Sequence, residues 1–412
     1  MASARTVIVA GAGIGGLATA LALKRNGFRV VVLEQSERLE ETGAGIQLSP
    51  NAARILIDLG LGDRLRPHVV APRAVRVLTA KNGREITRIP LGDEAAQRYG
   101  APYWIIHRGD LQTVLQAAVA PELDISLKLG MRMEDFATHP HGVTVQYRGA
   151  WRSGTSAWSE HGDALIAADG LWSIARTRLG FREPPRFSGR TAWRALVPAS
   201  DVPPEYRAPL IHLWLGPDAH LVHYPVKAGA VINIVVITAG DWQAQSSTGQ
   251  SWSEPASRDD LLPRLTSARW APQARAIVAL PDAWLKWALF DRRPLLNWSQ
   301  GAAALLGDAA HPMLPFLAQG GAMAIEDAAV AAQCLGRMPD HPANALKIYT
   351  AIRRGRTRRV QRQAARNGQH YHLKGVSAMV RNAAMSVMGG QHLLSRYDWL
   401  YDWRPPAALS IS

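Results

Sequence analysis

The sequence predicts an α/β fold, in which a parallel sheet assembled from remote chain segments carries an inserted antiparallel β-sheet domain and C-terminal helices. Three observations lead to it. A glycine-rich turn, Gly11-Ala12-Gly13-Ile14-Gly15-Gly16, follows the apolar run Val7 to Ala10. Two acid-bearing turns, Asp169-Gly170 and Gly307-Asp308, follow the short apolar runs Ala164 to Ala168 and Ala302 to Leu306. Between them lie short β-rich runs separated by Pro, Gly and Asp: Thr191 to Val197, Leu210 to Leu215, His220 to Val226 and Val231 to Thr238. Acids at the carboxyl ends of strands stand where open α/β sheets place ligands.

The opening turn has a definite physical task. Gly11 permits a tight strand-to-helix turn, Gly13 lets backbone approach a pyrophosphate, and Gly16 allows close packing of helix on strand. The helix that follows, ending near Asn26, presents unpaired N–H groups to phosphate charge. A second strand, Arg29 to Leu33, then delivers Glu34 twenty-three residues after Gly11, where a ribose-hydroxyl acceptor belongs. This motif alone leaves FAD and NAD both open.

The chain has 412 residues, more than one hydrophobic core serves, with 47% hydrophobic and 19% charged residues. That balance excludes disorder. No apolar stretch is long enough and free of glycine or polar breaks to predict a membrane span, and the N-terminal apolar run is interrupted by Gly11 to Gly16, so a cytoplasmic location is expected. The single cysteine, Cys334, excludes an internal disulfide or a multi-cysteine metal site, and its alanine-rich setting predicts a buried helix thiol. The net charge is +14, and Lys347 to Lys374 holds nine Lys or Arg with no Asp or Glu. Aromatic residues are not interleaved there as in single-strand binders, so a solvated helix face is expected and nucleic acid is not.

Further along, Ala239 to Arg258 is rich in Ser, Gln and Gly and reads as a surface excursion, followed by a helical stretch around Arg258 to Thr266. A long helix is expected over Ala322 to Cys334 and a basic one from Ala345. The tail from Gln391 to Pro406, with Tyr397, Trp399, Tyr401 and Trp403, reads as a wrap against another surface.

Taken together, the turns resemble the single-component FAD-dependent aromatic hydroxylases, the group that includes salicylate hydroxylase and 3-hydroxybenzoate 6-hydroxylase. The resemblance rests on Gly11 to Gly16 with Glu34; Gly43-Ala-Gly45-Ile-Gln47-Leu-Ser-Pro-Asn51; His107-Arg108-Gly-Asp-Leu111; Asp169-Gly170 with Ser173 and Arg176; and Gly307-Asp308 through His311, Pro312, Pro315, Gln319-Gly320-Gly321 and Glu326-Asp327. It implies a Rossmann-like FAD-binding domain of the p-hydroxybenzoate hydroxylase type from residues 1–75, 101–185 and 291–365. Residues 76–100 and 186–290 would form the substrate-binding β domain, and 366–412 a helical and aromatic tail.

The resemblance also implies an activity: NAD(P)H reduces FAD, the reduced flavin forms a C4a peroxide with O2, and an electron-rich ring is hydroxylated. NADH or NADPH would bind only transiently, since no second GxGxxG is present. A phenolic acid such as salicylate or 3-hydroxybenzoate is the expected substrate, with a nitrogen heteroaromatic or larger polycyclic or quinolone ring as the alternative. A flavin-containing nucleic-acid or membrane binder is the non-enzyme alternative. The expected state is a monomer or homodimer without metal.

Roles carry over by position. Gly11, Gly13, Gly15, Gly16, Glu34, Gln35 and Gly45 would line the dinucleotide. Arg108 would lie along the diphosphate and ribityl region, and Met131 would meet the adenine end through its backbone. Asp308 would accept from the ribityl chain, with Asp169 in a supporting part. Gly320-Gly321 opens a helix whose positive end can face the flavin pyrimidine. Hydroxylation of a phenol is helped by removing its proton, so a base is expected near that oxygen. On a strand, His220 and Tyr224 share one face, and their spacing resembles that of the hydroxylases, implying His220 as base and Tyr224 as companion. His311, in the flavin-facing loop, is a further catalytic candidate. Gln47 cannot act as a base, and hydroxynicotinate hydroxylases have histidine at the matching place. With Trp193, Trp214, Pro315 and Phe316, it is expected to line the substrate cavity.

Overall fold

A computed structural model describes residues 5–39, 44–149, 157–240, 242, 253–266 and 268–407. Its six-stranded sheet runs Ser299–Gln300, Ala303–Leu305, Ala164–Ala167, Thr6–Ala10, Arg29–Leu33 and Ile125–Lys128 in spatial order, so strands about 290 residues apart in sequence share one sheet. All neighbours are parallel except the short first pair. These strands are apolar almost throughout because both faces are covered, one of them by the helix Ile14–Arg25 and the helix Gly320–Arg337 that packs on it. Each fully buried aliphatic side chain here contributes about 1.5–3 kcal/mol.

The second large sheet has eight strands, in the order Ser253–Ser257, Ala283–Asp291, Arg186–Pro198, Val231–Ala239, Ala219–Val226, Leu210–Leu215, Ala74–Thr79 and Glu85–Pro90. It is antiparallel apart from the pairing of Leu210–Leu215 with Ala74–Thr79. A separate three-stranded meander spans Met131–His139, Gly142–Gly149 and Ala157–Gly162. A small sheet joins Gly45–Leu48, Trp104–His107 and Val69–Val70, and its central strand leads directly into the helix Arg108–Val119.

The polar excursion expected over Ala239 to Arg258 is corrected in part. Ser253–Ser257 is an edge strand on Ala283–Asp291, its conformation imposed by the partner rather than by its own Ser-Glu-Pro-Ala-Ser sequence. Most of the remainder, like Gly43, lies outside the described residues. The expected helix from Arg258 is shorter than its pattern suggests, one turn at Arg258–Leu261 followed by a 3-10 turn at Leu262–Arg264. The C-terminal region forms two long helices, Pro342–Tyr371 and Gly375–Ser395, and the aromatic tail folds back. Trp399 lies under Arg359, and Trp403 under Arg353 and Arg356. Among the described residues, no helix is long and apolar enough to cross a membrane. Cys334 is buried, and burial pushes its thiol up to about 12, which removes it from consideration as a nucleophile.

Candidate active site

The glycine turn is built as tightly as its sequence demands. Gly11 has φ +101°, open to glycine but not to side chains, and a Cβ there would press on the Ala168 carbonyl in front of the second acid turn. A Cβ on Gly16 would overlap the Gly11 carbonyl oxygen, and one on Gly15 would meet Leu306 and Ala324. At Gly13, by contrast, nothing lies within 4 Å, so the helix N-terminus is open on the side where a pyrophosphate would approach. Glu34 is fixed beside it: one carboxylate oxygen accepts from the Ala12 N–H at 2.7 Å and the other from the Ser36 N–H at 2.8 Å. The Met131 N–H donates to the Glu34 carbonyl at 2.7 Å, placing the meander at the same end, and Gln35 is exposed next to it.

Two carboxylates complete this side. Asp169 accepts from the Ala175 N–H at 3.1 Å and so helps cap the helix Ile174–Arg178, but its other oxygen is buried with no partner. Burial raises its carboxyl. Asp308 makes no hydrogen bond among the described residues. It is enclosed by protein, which raises its carboxyl, while His311 and Arg108 lower it. Its side chain is nonetheless exposed to solvent. An open helix N-terminus, a fixed acid at ribose distance in sequence, one orphaned carboxylate oxygen and one free carboxylate are the donor and acceptor set that FAD requires. The residues fit the cofactor.

Near the third turn, the Pro315–Leu317 turn ends at Ala318, whose φ of +51° swings the chain into the helix beginning at Gly320. A Cβ on Gly321 would fall 2.7 Å from the Ile46 Cδ1, so the Gly45–Leu48 strand lies directly against this helix start. Gln319 donates to the Ser49 hydroxyl at 2.8 Å, locking the two loops together. His311 is corrected here: its ring is buried, with Nε2 donating to Asp327 at 2.6 Å and its edge on Trp298. It faces the core and not the groove.

Strand register decides which side chains of the eight-stranded sheet can meet a substrate. Paired residues lie side by side on one face. Lys286, Trp193, Val236, Leu221, Trp214 and Leu78 form one such row. It packs on the helix Pro272–Ala279 and Trp270 in a separate apolar core. Trp193 and Trp214 are therefore corrected: alternation sends them to the far face. The near face carries Ala192 with Trp287, then Arg194, and, on the far side of the intervening strand Val231–Ala239, His220, Val222 and Tyr224.

Tyr224 stands against the Gly45 backbone, whose N–H donates to Asn233 at 2.8 Å. Gln47, beside it, accepts from the Tyr103 hydroxyl at 2.6 Å. Burial pushes Tyr224 up to about 12, against the lowering effects of Arg194 and Gln47, so it is a neutral hydroxyl at physiological pH. His220 lies farther along, with Nδ1 2.8 Å from the His372 Nε2 and its ring against Phe316 and Tyr371. Burial, then His372 and Arg190, hold it well below the ordinary histidine range, so it is neutral too. Phe316 is wedged over Gly368, and Pro315 precedes it in the same turn.

The residue that sequence reading missed is Arg194. Burial brings its guanidinium down to about 10, Tyr224 acts upward and Arg108 downward. Arg108 acts on the Asp308 carboxyl as well, lowering it. Two surface clefts lie elsewhere. One of about 490 Å³ is lined by Arg73, Arg88 and Gly390, and one of about 260 Å³ by Arg176, Arg186, Arg292 and Arg293. Neither includes Tyr224 or Asp308.

The family model described as FAD binding domain matches residues 4–364. A 3-hydroxybenzoate 6-hydroxylase of Aquipseudomonas alcaligenes is 36% identical over 397 residues, 96% of this chain and 97% of the relative. Among solved structures, a salicylate hydroxylase substrate complex superposes with a TM-score of 0.80 at 26% identity, covering 98% of this chain and 97% of that one. Klebsiella pneumoniae HpxO complexed with FAD and uric acid gives a TM-score of 0.81 at 27% identity, covering 95% of each chain.

Proposed function

This chain belongs to the FAD binding domain family, and from that premise we propose that its substrate is a small phenolic acid of the salicylate or 3-hydroxybenzoate class. It is an FAD-dependent aromatic monooxygenase that draws electrons from NAD(P)H. Bound FAD supplies hydride acceptance and activation of O2 for transfer of one oxygen atom to the ring. The protein's own residues do the rest. The Gly13 turn and the helix beginning at Ile14 receive the pyrophosphate, Glu34 the adenosine ribose, and Arg108 and Asp308 the diphosphate and ribityl region, with Asp169 and Met131 bracing the same side.

Over that cofactor side stands the near face of the eight-stranded sheet. Tyr224 is the group that meets the phenolic oxygen. It stays protonated and so offers the substrate a hydrogen bond rather than acting as a base, while Gln47 accepts from the Tyr103 hydroxyl beside it. His220 acts beside it as a neutral ring held by His372, and burial opposes its taking a full charge. Phe316 and the Gly45–Leu48 strand exclude water from the ring.

One observation supports this reading: the Gly45–Leu48 strand lies between the Tyr224 ring, which packs on the Gly45 backbone, and the helix start at Gly321, which packs on Ile46, so the sheet face and the cofactor side meet across one strand. The test is to purify the protein with FAD and screen aromatic acids and nitrogen heterocycles for stimulated oxidation of NADH and NADPH, identifying products by mass. Hydroxybenzoates are expected to stimulate oxidation and to yield a hydroxylated product. Stimulation by a heterocycle such as urate alone would replace the phenolic acid with that ring class.

A further inference from the structure

We propose that His372, just past the helix Pro342–Tyr371, is a positioning residue for His220: it accepts a hydrogen bond from the His220 Nδ1–H and so leaves Nε2 as a bare acceptor for a hydroxyl of the substrate. This rests on reading the site as a phenolic-acid hydroxylase.

The first ground is the bond itself. The His220 Nδ1 and the His372 Nε2 lie 2.8 Å apart between two buried rings, and among the described residues each ring's only hydrogen bond is to the other. The far-face pair, His212 and His223, stacks face to face at 4.4 Å instead. The segment that carries His372 is tied to the strand that carries His220. Two residues on, Lys374 pairs at 2.6 Å with Asp218, in the turn that opens that strand, and Arg190 donates to the Asp218 carbonyl at 2.8 Å. Arg381 donates to the Tyr371 carbonyl at 3.1 Å and holds the helix end. Phe316 packs on both rings and Tyr371 on His220, so neither imidazole is free to turn.

The second ground is the acceptor that the near face needs. Two neutral imidazoles in contact share one proton, and the nitrogen that carries it decides what the outer nitrogen of His220 can do. With the proton on Nδ1, Nε2 is an acceptor; with the proton on Nε2, His220 is a donor. Tyr224 is protonated and already offers a donor. A phenol gains nucleophilicity by giving its proton toward an acceptor, so the productive form is the one in which His372 accepts. The charged groups that act on the pair are Arg190, Asp218 and Arg381. Burial first, then Arg190 and Arg381, push His372 down to about 3 against the pull of Asp218. It therefore meets the Nδ1–H as a neutral ring, and the substrate's O–H is polarised without a charge resting on either histidine.

The experiment compares the FAD-loaded wild type, His372→Phe and His372→Gln with 3-hydroxybenzoate. Heteronuclear NMR of isotope-labelled histidines, with the His220 signals identified by their loss in His220→Gln, reads which ring nitrogen carries the proton. The wild type should carry it on the His220 Nδ1. His372→Phe keeps a ring against Phe316 but offers no acceptor, and its kcat/KM at pH 7, read from product formed, should fall about a hundredfold, the low end of what a positioned proton acceptor supplies. That loss should shrink roughly tenfold per pH unit up to about pH 9, as a phenol with a pKa near 10 ionises unaided. A merely structural loss would not depend on pH in this way. His372→Gln offers a carbonyl oxygen to the Nδ1–H, and should return kcat/KM to within about tenfold of the wild type with an equally flat profile.

A proton on the His220 Nε2 in the wild type, a loss in His372→Phe that is equal at every pH, or no loss at all would overturn the assignment. If His372→Phe does not fold, the Nδ1–H form in the wild type with a flat profile in His372→Gln supports it, and the Nε2–H form or a profile that rises with pH refutes it. A wild type that hydroxylates no phenol defeats the phenolic-acid reading itself. One that does so with the proton on Nε2 defeats only the role of His372.

Discussion

Two buried regions of this molecule use arginine in opposite ways. Behind the third acid turn, Glu326, Asp327 and Arg353 are fully buried. Arg353 donates to both acids at 2.6 Å, Arg356 to Glu326 at 2.6 and 2.7 Å, His311 to Asp327 at 2.6 Å and Asn51 to Glu326 at 2.6 Å. Burial would raise Asp327, but His311 and Arg353 hold it down at about 2. On the near face of the large sheet, Arg194 stacks on Trp287, and Tyr224 and Arg108 act on its charge, with no ion pair among the described residues. The same residue type is scaffold where its hydrogen bonds are complete, and is held only by stacking where they are not.

The strongest way to break that comparison is to open the closed knot. Glu326→Ala or Arg353→Ala removes one member of a buried charge network and leaves the others short of a partner, which should lower unfolding free energy by about 3–5 kcal/mol. Denaturant titration measures this, and a loss below about 1 kcal/mol would show that the knot is not the scaffold described. Arg194→Gln, with no intramolecular partner to strand, should change stability by much less.

A smaller effect sharpens the contrast between the two faces of the same sheet. On the far face, His212 and His223 stack at 4.4 Å, and burial brings His212 down to about 4 and His223 well below its ordinary range. Because the folded chain holds these rings neutral while the unfolded chain protonates them near pH 6.5, stability is full above pH 6.5 and falls as pH drops toward 4. For His212 the loss is at most about 2–3 kcal/mol by pH 4.5. A His212→Gln variant should show a shallower decline of melting temperature between pH 6.5 and 4.5. An equally steep decline would remove His212 from the account.

The parallel sheet was largely legible because its chemistry sits at turns. Gly11, Gly13, Glu34, Asp169 and Asp308 each follow a short apolar run, and turn residues announce themselves locally. The sheet face was not legible in the same way. Alternation predicted that His220 and Tyr224 share a face, but which face of the neighbouring strand they share depends on pairing between segments far apart in sequence. Trp193 was therefore chosen where Arg194, one residue on, occupies the near face. The arginine run from Lys347 to Lys374 read as solvated, yet Arg353 and Arg356 turn inward because their partners, Glu326 and Asp327, lie on another helix. His311 was misplaced for the same reason.

The central claim is that distant segments converge on one FAD, and its most direct measurement is titration of FAD into the apoprotein, followed by quenching of flavin fluorescence. The account predicts saturation at one FAD per chain, with affinity weakened about ten- to a hundredfold in Asp308→Ala, the range for loss of a charged hydrogen-bond acceptor. A correctly folded chain that takes up no FAD, or an Asp308→Ala variant that binds it as tightly as the wild type, would contradict it.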